Sequence, residues 1–217
     1  MTPPASCSGT LVKRRSEIRI VQIGVSVKSW RERLPSVEQA RPGRCPRCGA
    51  PGRPVGGRKC IQGHGLRERQ ALGPREPCGP PAEDSILARR FRCTVCRAVL
   101  LVVPRGVLRY RRYTAMAIGY AVALFGLRKL PASDVRERTC VWSVVGDAAI
   151  GRWETLRRWL RAIRSGELFP GIRRCPVTWT LRQAAERAGS TLVAHAVPSS
   201  PPASEEAQAF EGAMQMA

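Results

Sequence analysis

The chain has 217 residues, a length that allows one or two small domains and excludes a large catalytic fold with accessory domains. Its 37 basic residues outnumber 16 acidic ones, giving a net charge of +21, and all but four of the basic residues are arginines. This charge predicts a polyanionic partner, because arginine matches phosphate and guanine edges, although arginine-rich codon usage in a G- and C-rich genome explains the composition equally well.

Residues 1–40 are predicted to form an N-terminal tail. It opens with Pro and Ser and has no signal-peptide pattern, which together with nine cysteines indicates a reducing cytosol. Residues 18–27 alternate like a short strand, and a basic segment follows at 28–34. We therefore expect a cytoplasmic, nucleoid-associated protein.

Two Cys-x-x-Cys motifs are the strongest chemical signal. Four thiolates at this spacing suit a tetrahedral zinc site, provided that each pair sits on a tight turn. Pro46 and Gly49 favour such a turn in the first motif, whereas Arg97 occupies the glycine position of the second. Four unconnected cysteines are the plain alternative, and a redox motif needs a βαβ context that is missing here. The expected Zn²⁺ ligands are Cys45, Cys48, Cys93 and Cys96.

The segment between the motifs offers a second ligand set, because Cys60 and His64 follow the first motif at finger-like spacing. A finger presents its last two ligands from a helix, which the surrounding glycines and prolines disfavour. Strand-like periodicity at 59–69 and 85–92 instead indicates a zinc ribbon at 41–104, with two knuckles on β-hairpins.

Residues 105–170 are predicted to form a helical domain resembling a helix-turn-helix. Residues 113–127 are apolar on nearly every side and too short to span a bilayer, which indicates a buried helix. Shorter helices are expected at 131–138 and at 151–165. Beyond them, the composition turns to Ala, Ser, Pro and Glu, which predicts a low-complexity, disordered tail at 171–217.

The third of these helices carries expected DNA contacts. At about 100° per residue, its two tryptophans and its aliphatic residues form one apolar arc, with the arginines beside it. A recognition helix needs a docking seam next to a basic face, and an ordinary amphipathic helix with a basic solvated face shows the same pattern. The arginines are Arg157, Arg158, Arg161 and Arg164.

A second basic run connects the ribbon to the helices, and Tyr110 and Tyr113 are interleaved with its arginines. It either contacts a nucleic-acid backbone or forms a solvated linker. We favour contact, because the neighbouring zinc module would fix its position. The arginines of this run are Arg105, Arg109, Arg111 and Arg112.

Together these motifs resemble the zinc-ribbon plus helix-turn-helix module at the N-terminus of many bacterial insertion-sequence transposases. They are also similar to a family of uncharacterised stand-alone zinc-ribbon proteins. The resemblance covers residues 41–170 and is carried by Cys45-Pro-Arg-Cys-Gly49, His64-Gly65, Arg89-Arg-Phe-Arg-Cys93-x-x-Cys96, Tyr110–Tyr113 and Trp153-Glu-Thr-Leu-Arg-Arg-Trp159. It implies that the ribbon and the helices bind DNA, with the four motif cysteines holding zinc.

The expected fold class is small α+β: a four-cysteine zinc ribbon, then an all-α helix-turn-helix-like domain and a disordered C-terminal tail. The acidic triad of a transposase has no counterpart, because Asp84, Asp134 and Asp147 are the only aspartates and fall in loops or near helix ends.

We therefore expect a non-enzymatic, zinc-dependent protein related to mobile-element transposases that binds duplex DNA. A separately encoded transposase is a second candidate partner, and no membrane is expected. An inactive transposon remnant, a transcriptional regulator and an RNA-binding zinc ribbon are the alternatives.

Overall fold

The structure is a computed structural model that describes residues 18–146, 153–199, 201 and 203–217. The Pro- and Ser-containing start of the chain, Asp147 and the first two residues expected in the third helix lie outside the described residues. The strands are β1 Ile18–Ser26, β2 Ile61–Gln70, β3 Gly73–Pro74, β4 Pro81–Ala82, β5 Ser85–Cys93 and β6 Val99–Arg105. The helices are α1 Val27–Glu32, α2 Ala115–Gly126, α3 Ala132–Thr139, α4 Glu154–Ser165, α5 Leu181–Ala194 and α6 Glu205–Gln215.

Four of the strands form one mixed sheet in the order β1-β6-β5-β2. β1 runs parallel to β6, while β5 is antiparallel to both β6 and β2. β3 and β4 form a separate two-stranded ribbon. The short strand expected near residue 18 is therefore confirmed, and it belongs to the same sheet as the strands that carry the second cysteine motif.

β6 is one of the two interior strands of this sheet, with β5 as the other. Leu100 to Pro104 are all buried, a continuous run that is typical of a strand covered on both faces. One face is covered by α1 and the segment after it: the Trp30 indole Nε1 donates to the Leu87 carbonyl at 3.0 Å, and the Arg41 guanidinium lies 5.8 Å from the centre of the Phe91 ring. Buried residues of the helical half belong to the same hydrophobic core as those of the sheet.

α2 is the central helix. Every residue in it except Phe125 is buried, which confirms the buried helix expected from the sequence. The Thr114 hydroxyl caps its N-terminus by accepting a hydrogen bond from the Ala117 N–H at 3.1 Å. The other helices of the C-terminal half, α3, α4, α5 and α6, all pack against it.

The expected fold class is wrong in its first part. The protein is not a small zinc ribbon followed by an all-α helix-turn-helix-like domain, because its N-terminal half forms a four-stranded mixed sheet. Phe91 and Leu101 of this sheet share one continuous core with Ile118 of α2 and Phe210 of α6. The parallel pairing of β1 with β6 joins segments far apart in the chain, so local sequence periodicity could not indicate it.

The disordered C-terminal tail is also wrong, because α5 and α6 occupy much of it. Thr180 and Gln183 form a capping box at the start of α5, a pattern that was visible in the sequence. The Arg182 guanidinium then stacks 4.0 Å from the centre of the Phe125 ring and donates to the Phe125 and Leu130 carbonyls. These contacts fasten α5 to the end of α2.

Glycine allows the helices of this half to approach closely. A Cβ atom on Gly119 of α2 would lie 2.4 Å from the Ala213 Cβ and 2.7 Å from the Ala209 carbonyl oxygen, both in α6. On Gly212 of α6, it would lie 1.8 Å from the Leu192 carbonyl oxygen in α5. Small residues that look like low-complexity composition are thus the contact points of a packed helical layer.

Replacing Gly119 with alanine should lower the free energy of unfolding by about 1–3 kcal/mol, because the added methyl group overpacks the contact between α2 and α6. Helix propensity alone predicts a gain of about 0.5–1 kcal/mol. Gly24→Ala is the control, since no heavy atom lies within 4 Å of a Cβ built there. Urea unfolding of both variants decides between the two effects, and a more stable Gly119→Ala protein would contradict the packing of α6.

Candidate metal centre and nucleic-acid interface

The four motif cysteines converge at one point. The Sγ atoms of Cys45 and Cys96 are 3.7 Å apart, as are those of Cys48 and Cys93, and all four lie within 4.8 Å of one another. Tetrahedral thiolates bound at a metal–sulfur distance of about 2.3 Å would be separated by about 3.8 Å. The cluster could therefore hold a metal ion, and the separations rule out disulfide bonds between these pairs.

The first knuckle is a tight turn closed by two backbone hydrogen bonds. The Cys45 N–H donates to the Ala50 carbonyl at 2.8 Å, and the Gly49 N–H donates back to the Cys45 carbonyl at 2.9 Å. Gly49 has a φ of 72°, in the left-handed region that glycine adopts without strain. This turn aims both sulfurs of the motif to the same side.

The second knuckle repeats this turn with a different residue at the strained position. The Cys93 N–H donates to the Ala98 carbonyl, and the Arg97 N–H donates to the Cys93 carbonyl, both at 3.0 Å. Arg97 has a φ of 62° and so adopts the conformation that Gly49 adopts in the first knuckle. The missing glycine is therefore accommodated by backbone strain and not by a different turn.

The hairpin of β2 and β5 positions the second knuckle. Cys93 is the last residue of β5 and pairs with Ile61 at the start of β2. The Thr94 N–H and hydroxyl both donate to the Cys60 carbonyl, at 2.8 and 3.2 Å. Cys60 thus supports the knuckle through its backbone, while its thiol and the exposed His64 imidazole lie outside the four-sulfur cluster.

The thiols differ in their readiness to ionise. Burial acts to raise the pKa of Cys45, but hydrogen bonds from the backbone N–H groups of Arg47 and Cys48 and from the Cys96 thiol outweigh it and lower the pKa to about 7. For Cys48, a backbone hydrogen bond from Ala50 acts to lower the pKa, but burial and the neighbouring thiols raise it to about 12. Of these two thiols, Cys45 ionises more readily, and a bound metal ion would displace the thiol protons because thiolates are its ligands.

A groove of about 600 Å³ lies between the segment after β6 and α4, where both basic segments were expected to contact DNA. Three of its aromatic residues are buried and pack edge to face: the Tyr113 ring centre is 5.0 Å from that of Trp159 and 6.2 Å from that of Trp153. Tyr110 and Trp142 also line the groove but are exposed.

Four arginines line the same groove, and no carboxylate is found among its described lining residues. Arg111 and Arg112 come from the basic run that follows the sheet, Arg136 from α3 and Arg158 from α4. Burial raises the pKa of Tyr113, and its contact with the Cys140 thiol adds to the effect, so this wall of the groove remains neutral. The fold thus joins the two basic segments that the sequence singled out.

α4 confirms the amphipathic helix expected at this place and ends at Gly166, whose φ is 79°. Arg157, Arg158 and Arg161 lie on its outer side. Arg161 donates to the Glu154 carboxylate at 2.8 Å, and Arg158 lies 4.0 Å from the same carboxylate. Both ion pairs are solvent-exposed and hence weak, so these arginines can exchange Glu154 for another anion.

Three further arginines expected to contact DNA have partners inside the protein. Arg164 donates to the Trp179 carbonyl at 3.4 Å, and Arg105 donates to the Gln215 side-chain oxygen at 2.9 Å. Arg109 lies outside the groove lining; it stacks 4.5 Å from the centre of the Tyr110 ring and donates to its hydroxyl at 2.6 Å.

Strand register reveals a basic row that the sequence reasoning missed. Arg90 and Arg92 lie two residues apart on β5, so their side chains are on the same face of the sheet. Arg67 of β2 is on that face too, because it pairs with Ala88, which lies two residues before Arg90. Arg69 follows on that face and donates to the Leu108 and Arg111 carbonyls at 3.1 and 3.4 Å. Period-two alternation of arginines in both strands was the available signal. The row leads from the cysteine cluster toward the groove.

Asp84 is held between two arginines. Its carboxylate accepts hydrogen bonds from Arg75 at 2.9 and 2.7 Å and lies 2.9 Å from Arg31. Hydrogen bonding by Arg75 lowers the pKa of this carboxyl further than its partial burial raises it.

The described part of the chain contains no helix of the length and apolar character needed to cross a membrane. No family model, curated protein or solved structure matches the chain.

Replacing Arg97 with glycine should stabilise the metal-loaded protein by about 0.5–1 kcal/mol, because a left-handed non-glycine residue costs about 1–2 kcal/mol and glycine loses part of that gain through unfolded-state entropy. Arg97→Ala removes the same charge but keeps the strain, so it should bring no gain. Equilibrium unfolding in urea measures both. Equal stability of the two variants would show that the left-handed turn stores no strain.

Proposed function

We propose that this protein is a non-catalytic, zinc-dependent DNA-binding protein that contacts duplex DNA through the basic surface of its helical half. The observation that carries the proposal is the groove at which Arg111 and Arg112, from one segment, meet Arg158, from a helix distant in the chain. Guanidinium groups gathered on one surface favour phosphate, because each contact releases a counterion from the nucleic acid.

The outer side of α4 extends this surface. Arg157 and Arg161 lie on that side, and the buried side of the helix is held by Leu156, Leu160 and Ile163. The helix therefore presents a row of guanidinium groups from a fixed support. Two cations from the loop and several from the helix can contact neighbouring phosphates.

Zinc is the metal proposed for the cysteine cluster. Four thiolates favour zinc or iron, and a site with four protein ligands leaves no position open for a substrate, as in structural zinc sites. Zinc with four thiolates carries a net negative charge, which the exposed Arg44, Arg47, Arg92 and Arg97 around the cluster would offset. The ion would close the two knuckles on the sheet and would take no part in a reaction.

Purified protein should contain one zinc ion per chain, and a variant with Cys93→Ser and Cys96→Ser should contain none. Cys60→Ser is the matched control and should keep the metal, because its thiol lies outside the cluster. Elemental analysis gives the stoichiometry, and chelation should lower the melting temperature. Iron in place of zinc would contradict the proposed metal. Metal retained by the double variant would contradict the proposed ligands.

Affinity for a blunt DNA duplex should fall steeply with salt, and Arg112→Ala or Arg158→Ala should each reduce the slope of log K against log salt by about 1. Arg33→Ala is the control, since it removes an exposed arginine that follows α1 and does not line the groove. Fluorescence anisotropy across a salt series provides the measurement. A flat salt response, or an equal loss in all three variants, would argue against this surface.

The relation to mobile-element transposases is a proposal supported by the sequence motifs. Terminal inverted repeats in the DNA beside the gene, bound by the protein more tightly than scrambled duplexes, would support it. Preference for a neighbouring promoter would favour a transcriptional regulator, and preference for structured RNA over duplex DNA would favour an RNA-binding protein.

A further inference from the structure

Two aromatic side chains in the groove are exposed without an evident structural need. Tyr110 is 77% exposed and Trp142 is 43% exposed, although both line the groove. Tyr113, Trp153 and Trp159 already form the buried aromatic cluster that supports the wall. Tyr110 and Trp142 therefore offer aromatic surface to something outside the protein.

The surrounding segment holds Tyr110 in place. Its backbone is in the left-handed region, with a φ of 57° that a tyrosine rarely adopts. The residues on both sides are tied down: Arg69 donates to the Leu108 and Arg111 carbonyls, and the Leu72 N–H donates to the Arg112 carbonyl at 2.9 Å. The Arg109 guanidinium stacks on the Tyr110 ring and bonds its hydroxyl. The exposed ring is thus oriented in advance of binding.

The size and lining of the groove decide which part of a nucleic acid fits inside. A volume of about 600 Å³ lies within the range of small-molecule pockets. A DNA duplex, whose major groove alone is about 12 Å wide, can meet the arginines at the rim of the groove but is too large to enter it. Bases inside a duplex have both faces stacked on their neighbours, whereas an unpaired base is free to place its face on a protein ring.

We propose that the groove binds unpaired nucleotides of a DNA strand that continues beyond the end of a duplex. A base would stack on Tyr110 or Trp142, and Arg111 and Arg112 would contact the phosphates beside it. The described lining residues include no carboxylate, which suits this ligand because a carboxylate in the lining would repel the phosphates. This inference rests on the proposed function and adds the form of DNA that the site selects.

The test compares one duplex with blunt ends and the same duplex with a short single-stranded overhang. Full-length, metal-loaded protein should bind the overhang form about five- to hundred-fold more tightly, the range typical of base stacking on aromatic side chains. Tyr110→Ala should lose a measurable part of this preference and the double variant Tyr110→Ala, Trp142→Ala should lose all of it, whereas Tyr110→Phe, which keeps the ring, should retain it. Arg33→Ala should retain it. Circular dichroism and melting temperature check that each variant is folded.

A second probe places the fluorescent base 2-aminopurine in the overhang. Stacking should quench its fluorescence on binding to the wild-type protein, and quenching should be lost when Tyr110 and Trp142 are both replaced by alanine. If that double variant fails to fold, the single Tyr110→Ala and Trp142→Ala variants should each show partial loss.

The outcomes separate the inference from the proposed function. Salt-dependent binding of the blunt duplex with no gain from the overhang would overturn the inference and leave duplex binding standing. An overhang preference that survives replacement of both aromatic residues would also overturn it. Failure to bind either DNA would overturn both proposals.

Discussion

The pairing of β6 with its two neighbours is the constraint on which the rest of the structure depends. β6 is buried on both faces, so its backbone groups must be paired on both edges, by β1 on one side and β5 on the other. This arrangement brings the start of the described chain beside the strand that follows the second cysteine motif. It also sets the point at which the chain leaves the sheet and enters the basic run at 105–112.

The two halves of the candidate metal centre depend on this sheet unequally. The second knuckle follows directly from β5 and is supported by the Cys60 carbonyl, whereas the first knuckle lies in a long connection between α1 and β2. Besides its two internal hydrogen bonds, the first knuckle is held by the burial of Cys45 against the core. A metal ion shared by both would close a loop of some fifty residues, a contribution that local turn chemistry cannot supply.

The aromatic residues of the groove form a buried group and an exposed group. Tyr113, Trp153 and Trp159 hold α4 against the segment after β6 by edge-to-face packing, while Tyr110 and Trp142 stay exposed. The buried group fixes the distance between the basic run and the helix. The ion pairs of Glu154 with Arg158 and Arg161 are solvent-screened, so they are weak competitors for a polyanion.

Local chemistry in the sequence determined the turns of the two Cys-x-x-Cys motifs, the buried α2, the basic side of α4 and its end at Gly166, because spacing, helical period and turn residues act over a few neighbours. Only the tertiary structure decided that β1 pairs with β6, that Arg67 aligns with Arg90 and Arg92, and that Arg112 meets Arg158 across a groove. Each of these requires register or packing between distant segments. The helices α5 and α6 depend on both local sequence and tertiary packing. Their capping box and small residues are visible in the sequence, but only their close approach at Gly119 and Gly212 shows why such residues build a packed layer.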